Sequence, residues 1–171
     1  MMTTTQSIKL YTFGYKELRT YLFAALFVVG NILLPQLCHL LPQGGLTWLP
    51  IYFFTLVAAY KYGWKVGLLT AVASPVINNL LFGMPGAAML PIILVKSALI
   101  VASATVATKV FKQYFGILTV AAVVVAYQLV GSLIEWGMTA SLTAAVQDLT
   151  IGLPGILLQI VAGYLVIKKL S

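Results

Sequence analysis

Long apolar segments alternate with short polar connections along the whole chain. Crossing about 30 Å of hydrocarbon takes roughly 20 mainly apolar helical residues, and six segments come near that length. The pattern predicts an all-α integral membrane protein with one membrane domain over residues 1–171, in which residues 1–17 form a cytoplasmic segment. The predicted spans are residues 18–36, 46–60, 66–82, 87–108, 115–137 and 151–167.

Basic side chains indicate how these spans are oriented. Loops that stay in the cytoplasm keep Lys and Arg, whereas translocated loops are depleted in them. All basic residues except Lys96 lie at or before the start of the first span, in the second or fourth connection, or after the sixth span. They are Lys9, Lys16, Arg19, Lys61, Lys65, Lys109, Lys112, Lys168 and Lys169. This distribution predicts six transmembrane helices with both termini in the cytoplasm.

Composition supports placement in a lipid bilayer. Of the 171 residues, 61% are hydrophobic and 8% are charged, which is too little polar surface for a soluble domain of this size. The net charge of +7 is scattered over short loops and tails, so no nucleic-acid partner is predicted. A single cysteine, Cys38, beside a single histidine, His39, cannot complete a disulfide or a zinc site, and no cofactor is predicted.

Polar side chains recur at helical spacing within four of the predicted spans. Such groups are costly in hydrocarbon, so their faces are expected to avoid lipid and to converge. These polar faces comprise Thr70, Ser74, Asn78 and Asn79 on the third span, Lys96 and Ser103 on the fourth, Gln128, Gly131, Ser132 and Glu135 on the fifth, and Gly152, Gly155 and Gln159 on the sixth.

The third connection, residues 83–86, contains Gly and Pro. These residues permit tight turns that could fold over a cavity.

Lys96 is the basic residue that lies deep inside a predicted span, about 14 Å below the outer surface at about 1.5 Å per residue. At that depth it needs a partner anion, a water-filled cavity or a ligand. Two interpretations stay open. Lys96 forms a structural ion pair with Glu135 or a polar network with Gln128, or it supplies positive charge to an outward-facing binding site. The residues predicted to bind a substrate are Lys96, Asn78, Asn79, Gln128, Glu135, Trp136 and Asp148.

The segment before Tyr21 mixes aromatic and basic side chains, with Tyr11, Phe13 and Tyr15 among Lys9, Lys16 and Arg19. Such a mixture is typical of an amphipathic stretch that lies on the cytoplasmic leaflet. A disordered tail is the alternative interpretation.

Motifs for catalysis are absent from the sequence. It contains no Gly-rich phosphate loop followed by Lys and Ser or Thr, no G-x-S-x-G elbow and no H-E-x-x-H helix. With three acidic residues and one histidine, the chain offers few acid or base groups. It is therefore not predicted to be an enzyme.

Several short motifs between Leu49 and Lys109 match one family of membrane proteins. They are Pro50 at the start of the second span, the Tyr-Gly-Trp-Lys turn at 62–65 followed by Gly67, Ser74 with Pro75, and the Phe-Gly-Met-Pro run at 82–85. In these motifs, and in its size, the chain resembles the substrate-binding S components of energy-coupling factor (ECF) transporters. These transporters are ABC-type importers of the bacterial cytoplasmic membrane.

The resemblance implies a function. An S component captures a vitamin or related micronutrient from outside with its outer loops and last three helices, and it releases the ligand inward by toppling in the membrane. A separate transmembrane coupling subunit and two ATPase subunits drive this cycle.

Two positions depart from the pattern of that family. S components often carry two alanines four residues apart on the first helix for contact with the coupling subunit, whereas here Ala24 is followed by Val28 and Ala25 by Val29. The contact is expected at Ala24 and Ala25. The family also often has an acidic residue near the position of Lys96, so a cation here predicts a carboxylate or phosphate on the ligand.

Two other classes of protein are compatible with the same spans. A six-span scaffold similar to the rod-shape-determining proteins of cell-wall assembly has this size and helix count, but it needs no ligand cavity. An intramembrane lipid-modifying enzyme would need an acid or base pair that the sequence lacks. The converging polar faces and the Gly-Met-Pro loop favour the binding protein.

Overall fold

The computed structural model describes residues 8–111 and 114–170, so Lys112 lies outside the described residues. The structure is 79% helical, and the described ranges contain no β-strand. Nine α-helices follow one another within these ranges, with a 3₁₀ turn between the second and third. They are α1 (Leu18–Cys38), α2 (Gly44–Trp48), the 3₁₀ turn (Pro50–Tyr52), α3 (Phe53–Tyr62), α4 (Trp64–Phe82), α5 (Leu90–Val110), α6 (Ile117–Thr139), α7 (Leu142–Ala145), α8 (Gln147–Thr150) and α9 (Leu153–Lys169).

Several helix ends are explained by their sequence. Gly83 adopts a left-handed conformation at the end of α4, and its N–H donates to the Asn79 carbonyl, as expected of a terminal glycine. Pro91 and Pro154 stand in the first turns of α5 and α9, where the missing N–H of proline leaves no helical hydrogen bond unmade.

Four helices in the described part of the chain, α1, α4, α5 and α6, are long and apolar enough to cross a membrane. A fifth candidate is added if α9 and the two short helices before it, α7 and α8, count as one broken span. The segment of α7 and α8 is bent by 47° relative to α9. The prediction of an all-α protein is thereby confirmed. The count of six spans and the cytoplasmic termini stay predictions.

Apolar side chains cover the outside of these helices. On α1, exposed leucines recur at intervals of four or seven residues, which places them on one face: Leu18, Leu22, Leu26, Leu33 and Leu37. On α9, Leu153, Leu157, Val161 and Leu165 form a similar stripe. Such continuous apolar surface is compatible with contact with lipid.

The region of the second predicted span, 46–60, is not one continuous helix. Leu49 adopts a left-handed conformation, with φ 47° and ψ 46°, and separates α2 from the 3₁₀ turn that begins at Pro50. Proline disfavours helical geometry in the residue before it and has no N–H to donate. The chain therefore breaks at residues 49 and 50 before it continues as α3.

Helix α3 occupies the centre of the fold, although it has only ten residues. It packs against α1, α4, α5 and α9, and nine of its residues are buried. A Cβ atom added at Gly67 of α4 would lie 2.6 Å from the Cβ of Ala59, so a larger residue would push these helices apart. Small residues thus permit the close approach of α3 and α4.

Residues 8–17 precede α1 without forming a helix. The Tyr11 N–H donates to the Lys61 carbonyl at 2.9 Å, and the Tyr11 ring stacks on Tyr62 at 5.6 Å between centroids. Phe13 stacks on Phe23 of α1 at 5.6 Å. This segment packs on the helices, which neither sequence interpretation predicted.

Candidate functional site

Three charged side chains from different helices meet inside the fold. The Lys96 Nζ of α5 lies 2.5 Å from Glu135 Oε2 of α6 and 2.7 Å from Asp148 Oδ2 of α8. The side chains of Lys96 and Glu135 are 2% and 4% exposed, and that of Asp148 is 14% exposed. We call Lys96, Glu135 and Asp148 the ion cluster.

The local sequence makes room for this cluster. A Cβ atom added at Gly131, one turn before Glu135, would lie 2.9 Å from Lys96 Cγ. Glycine therefore lets the lysine stem lie directly against α6. Because charges removed from water need a partner, the two carboxylates and the ammonium pair with each other where α5, α6 and α8 meet.

A chain of hydrogen bonds continues from the same face of α6. The Gln128 amide donates to the Tyr127 hydroxyl at 3.0 Å, and that hydroxyl donates to Gln159 Oε1 of α9 at 2.6 Å. Gln159 Nε2 in turn donates to the Leu49 carbonyl at 3.3 Å. These hydrogen bonds connect the break in the second predicted span to α6 and α9.

A separate cavity of about 350 Å³ lies where α1 and α4 end and α5 begins. Its walls come from the last turn of α1, five residues between positions 43 and 51, Asn78 of α4, the loop that contains Met84, Pro85 and Gly86, and Met89 and Ile93 at the start of α5. Most of the lining is apolar. A volume of this size is within the usual range for small-molecule sites.

Buried amides connect the cavity to the helices. Because Pro35 has no N–H, the Asn31 carbonyl one turn earlier lacks its usual helical donor, and Asn78 Nδ2 donates to it at 2.9 Å. The Asn31 side chain also joins α1 to Thr55 and Ser74, at 3.0 and 3.1 Å. Asn79 Nδ2 donates to the Pro85 carbonyl at 2.6 Å and holds the loop over the cavity.

Two residues that line the cavity each carry a buried polar atom without a hydrogen-bond partner among the described residues: Asn78 Oδ1 and Gln36 Nε2. Asn78 is 2% exposed. Its amide orientation follows from its surroundings, because Nδ2 faces two carbonyl acceptors, those of Asn31 and Ser74. The oxygen is therefore left as an unused acceptor.

The broken segment separates the cavity from the ion cluster. Pro50 and Ile51 line the cavity. Leu49 and Tyr52 are buried, and a Cβ atom added at Gly152 beside Asp148 would meet Leu49 at 2.8 Å. Lys96, Glu135 and Asp148 do not line the cavity in the described structure.

The residues predicted from the sequence thus fall into several places. Lys96, Glu135 and Asp148 meet in the ion cluster, so the predicted contact of Lys96 with Glu135 is present. Asn78 lines the cavity, and Asn79 holds its loop. Gln128 belongs to the hydrogen-bonded chain and makes no hydrogen bond to Lys96 in the described structure. Trp136 is 49% exposed on α6.

The two alanines predicted to contact a partner subunit lie on α1. Ala24 is buried within the chain and Ala25 is exposed, so Ala25 alone of this pair faces outward.

Sequence reasoning missed Asn31, Gln36 and Tyr127. Asn31 and Gln36 are amides in or beside the first predicted span, and a polar residue at that depth is a signal for a buried contact. Tyr127 carries no such signal, because tyrosine is common both in cores and at membrane interfaces.

Comparison with protein-family models, with curated proteins and with solved structures finds no match for this chain. The fold itself defines the class: an all-α protein with several helices that can span a membrane. Within the described residues, no group of three or more His, Cys, Asp or Glu side chains could hold a metal ion.

Proposed function

We propose that this protein is the substrate-capture subunit of an ECF-type ABC importer. It binds a vitamin or a related small micronutrient on the outer side of a bacterial cytoplasmic membrane. A transmembrane coupling subunit and two ATPase subunits then drive uptake, and the chain has no enzymatic activity of its own. The runner-up is the six-span scaffold without a small-molecule ligand.

The cavity between α1, α4 and α5 is the observation that supports binding most strongly. It combines a volume of about 350 Å³ with two lining residues, Gln36 and Asn78, that each carry a buried polar atom without a partner within the described residues. Buried polar groups are normally hydrogen-bonded, so two unpaired ones on residues that line a cavity favour a ligand or ordered water there. A scaffold has no need for such a cavity.

The proposed topology has six spans and both termini in the cytoplasm. The second span is the broken segment α2 to α3, and the sixth is α9 with the bent helices before it. Lys61 and Lys65 then lie on the cytoplasmic side together with residues 8–17. The cavity lies at the opposite end of α1 and α4, so in this orientation it opens outward.

The ion cluster has a supporting role in this proposal. Lys96 already faces two carboxylates, Glu135 and Asp148, so an anionic ligand would meet more negative than positive charge there. This geometry argues against a ligand carboxylate or phosphate bound by Lys96. We propose instead that the cluster positions α5 and α8 beside the broken segment.

The partner surface is proposed on α1, where Ala25 lies among the exposed leucines. A small residue there lets another helix approach closely. Lipid covers the remainder of this apolar face.

A thermal-stability scan of the detergent-purified protein against vitamins and their precursors tests the proposal. A ligand at a hundred times its Kd adds about 2.7 kcal/mol to the free energy of unfolding, which is a measurable shift. We expect at least one compound to stabilise the protein. No stabilisation by any compound, on protein that unfolds cooperatively, would contradict binding and favour the scaffold.

A further inference from the structure

The wall of the cavity is free of formal charge apart from one titratable group. No Lys, Arg, Asp or Glu is among the described residues that line it, and His39 is the one ionisable side chain among them. A charged ligand would lose its hydration on entry without gaining a counter-ion. The cavity therefore suits a molecule without net charge.

The unused polar atoms add a second requirement. Asn78 Oδ1 can only accept a hydrogen bond, and Gln36 Nε2 can only donate one. A bound molecule with both an N–H and a carbonyl group would supply what these two atoms lack. Amides, lactams and ureides carry both groups in one uncharged unit.

The remaining lining favours an apolar ring system. Pro35, Leu46, Ile51 and Ile93 provide aliphatic surface, and Met84 and Met89 provide thioethers. Thioether sulfur makes favourable contacts with aromatic rings and adapts to irregular shapes.

We propose that the ligand is a neutral, largely apolar ring compound with an amide, lactam or ureide group. Its N–H donates to Asn78 Oδ1 and its carbonyl accepts from Gln36 Nε2. This inference rests on the proposed function and specifies the substrate class of the same protein. It places the ligand in the cavity, apart from the ion cluster.

Matched pairs of probes separate the two charge classes. Nicotinamide and biotinamide each differ from nicotinate and biotin by an amide in place of a carboxylate, riboflavin is a neutral ureide, and thiamine is a cation. Affinities are measured by thermal shift and titration calorimetry on the purified full chain. We expect at least one neutral probe to bind. Where either member of an amide–acid pair binds, we expect the amide to bind at least tenfold more tightly than the acid.

Variants of the wall then locate the bound probe. Gln36 Nε2 has no partner in the described structure, so Gln36→Met should fold normally and weaken a neutral probe roughly three- to tenfold. The matched control is Gln147→Met on α8, outside the cavity.

A second pair of variants fills space instead of removing a polar group. A Cβ atom added at Gly86, which lines the cavity, meets nothing within 4 Å. Gly86→Leu should therefore fold and abolish binding, whereas Gly137→Leu, in similarly open space on α6, should not.

The outcomes distinguish this inference from the proposed function. Binding of a neutral probe that is lost in Gly86→Leu and weakened in Gln36→Met supports both. Preference for an acid or for thiamine, or binding that is unchanged in the two cavity variants, overturns the inference and leaves substrate capture standing. If no probe and no vitamin binds, both proposals fall.

Discussion

The ion cluster and the cavity place polar groups in the same apolar fold in opposite ways. In the ion cluster, Lys96 is within 2.7 Å of each of its two carboxylate partners. In the cavity, Asn78 Oδ1 and Gln36 Nε2 are buried without a partner in the described part of the chain. Groups paired within the chain are expected to stabilise its fold, whereas groups left unpaired are available to a ligand.

Removal of the lysine gives the largest expected effect. Lys96→Met leaves two carboxylates buried together without a cation, and loss of one partner from a buried ion pair costs about 3–5 kcal/mol. Unfolding of the purified protein in mixed micelles measures the change. Combining Lys96→Met with Glu135→Gln and Asp148→Asn should restore most of the loss. A single variant as stable as the wild type would show that the cluster does not hold the helices.

The amide network beside the cavity is expected to give an intermediate effect. Asn31→Leu removes the bonds to Thr55 and Ser74 and to the N–H of Phe54, and we expect a loss of about 2–4 kcal/mol. The same unfolding measurement on Asn79→Leu is the control. That variant loses one partly buried bond to the loop and should lose only about 1 kcal/mol. Equal losses in the two variants would contradict a special role for Asn31.

The smallest effect on stability is expected at the cavity wall. Because Gln36 Nε2 has no partner within the described residues, Gln36→Met should change the free energy of unfolding by no more than about 0.5 kcal/mol. Unfolding in the absence of ligand checks this. A loss above about 2 kcal/mol would mean that Gln36 belongs to the structural network, and the contrast with the ion cluster would disappear.

The long helices could be predicted from the sequence because their apolar segments exceed the length of a typical soluble helix. Helix α3 shows the limit of that reasoning. Its segment is apolar and was assigned to a span, but the break at Leu49 and Pro50 shortens it. Proline signals a break or a helix start equally well, and only the packing around Leu49 decides between them.

The site was predictable where contacts follow helical spacing. Lys96 and Glu135 lie on polar faces of adjacent helices, so their pairing was one of two interpretations. Asp148 was predicted in the same binding site as Lys96, but its direct contact with Lys96 could not be predicted, because α7 and α8 fold back through short turns that spacing does not encode. The cavity depends on the loop around Pro85 and on the end of α1 near Gln36, and such loop packing leaves no periodic pattern.

The most direct test of the account is a structure of the protein bound to the probe that stabilises it most. We expect density for the probe between α1, α4 and α5, with a hydrogen bond to Asn78 Oδ1 and with Lys96 still paired to Glu135 and Asp148. Density beside Lys96, with a carboxylate displaced from it, would contradict the assignment of the ligand to the cavity.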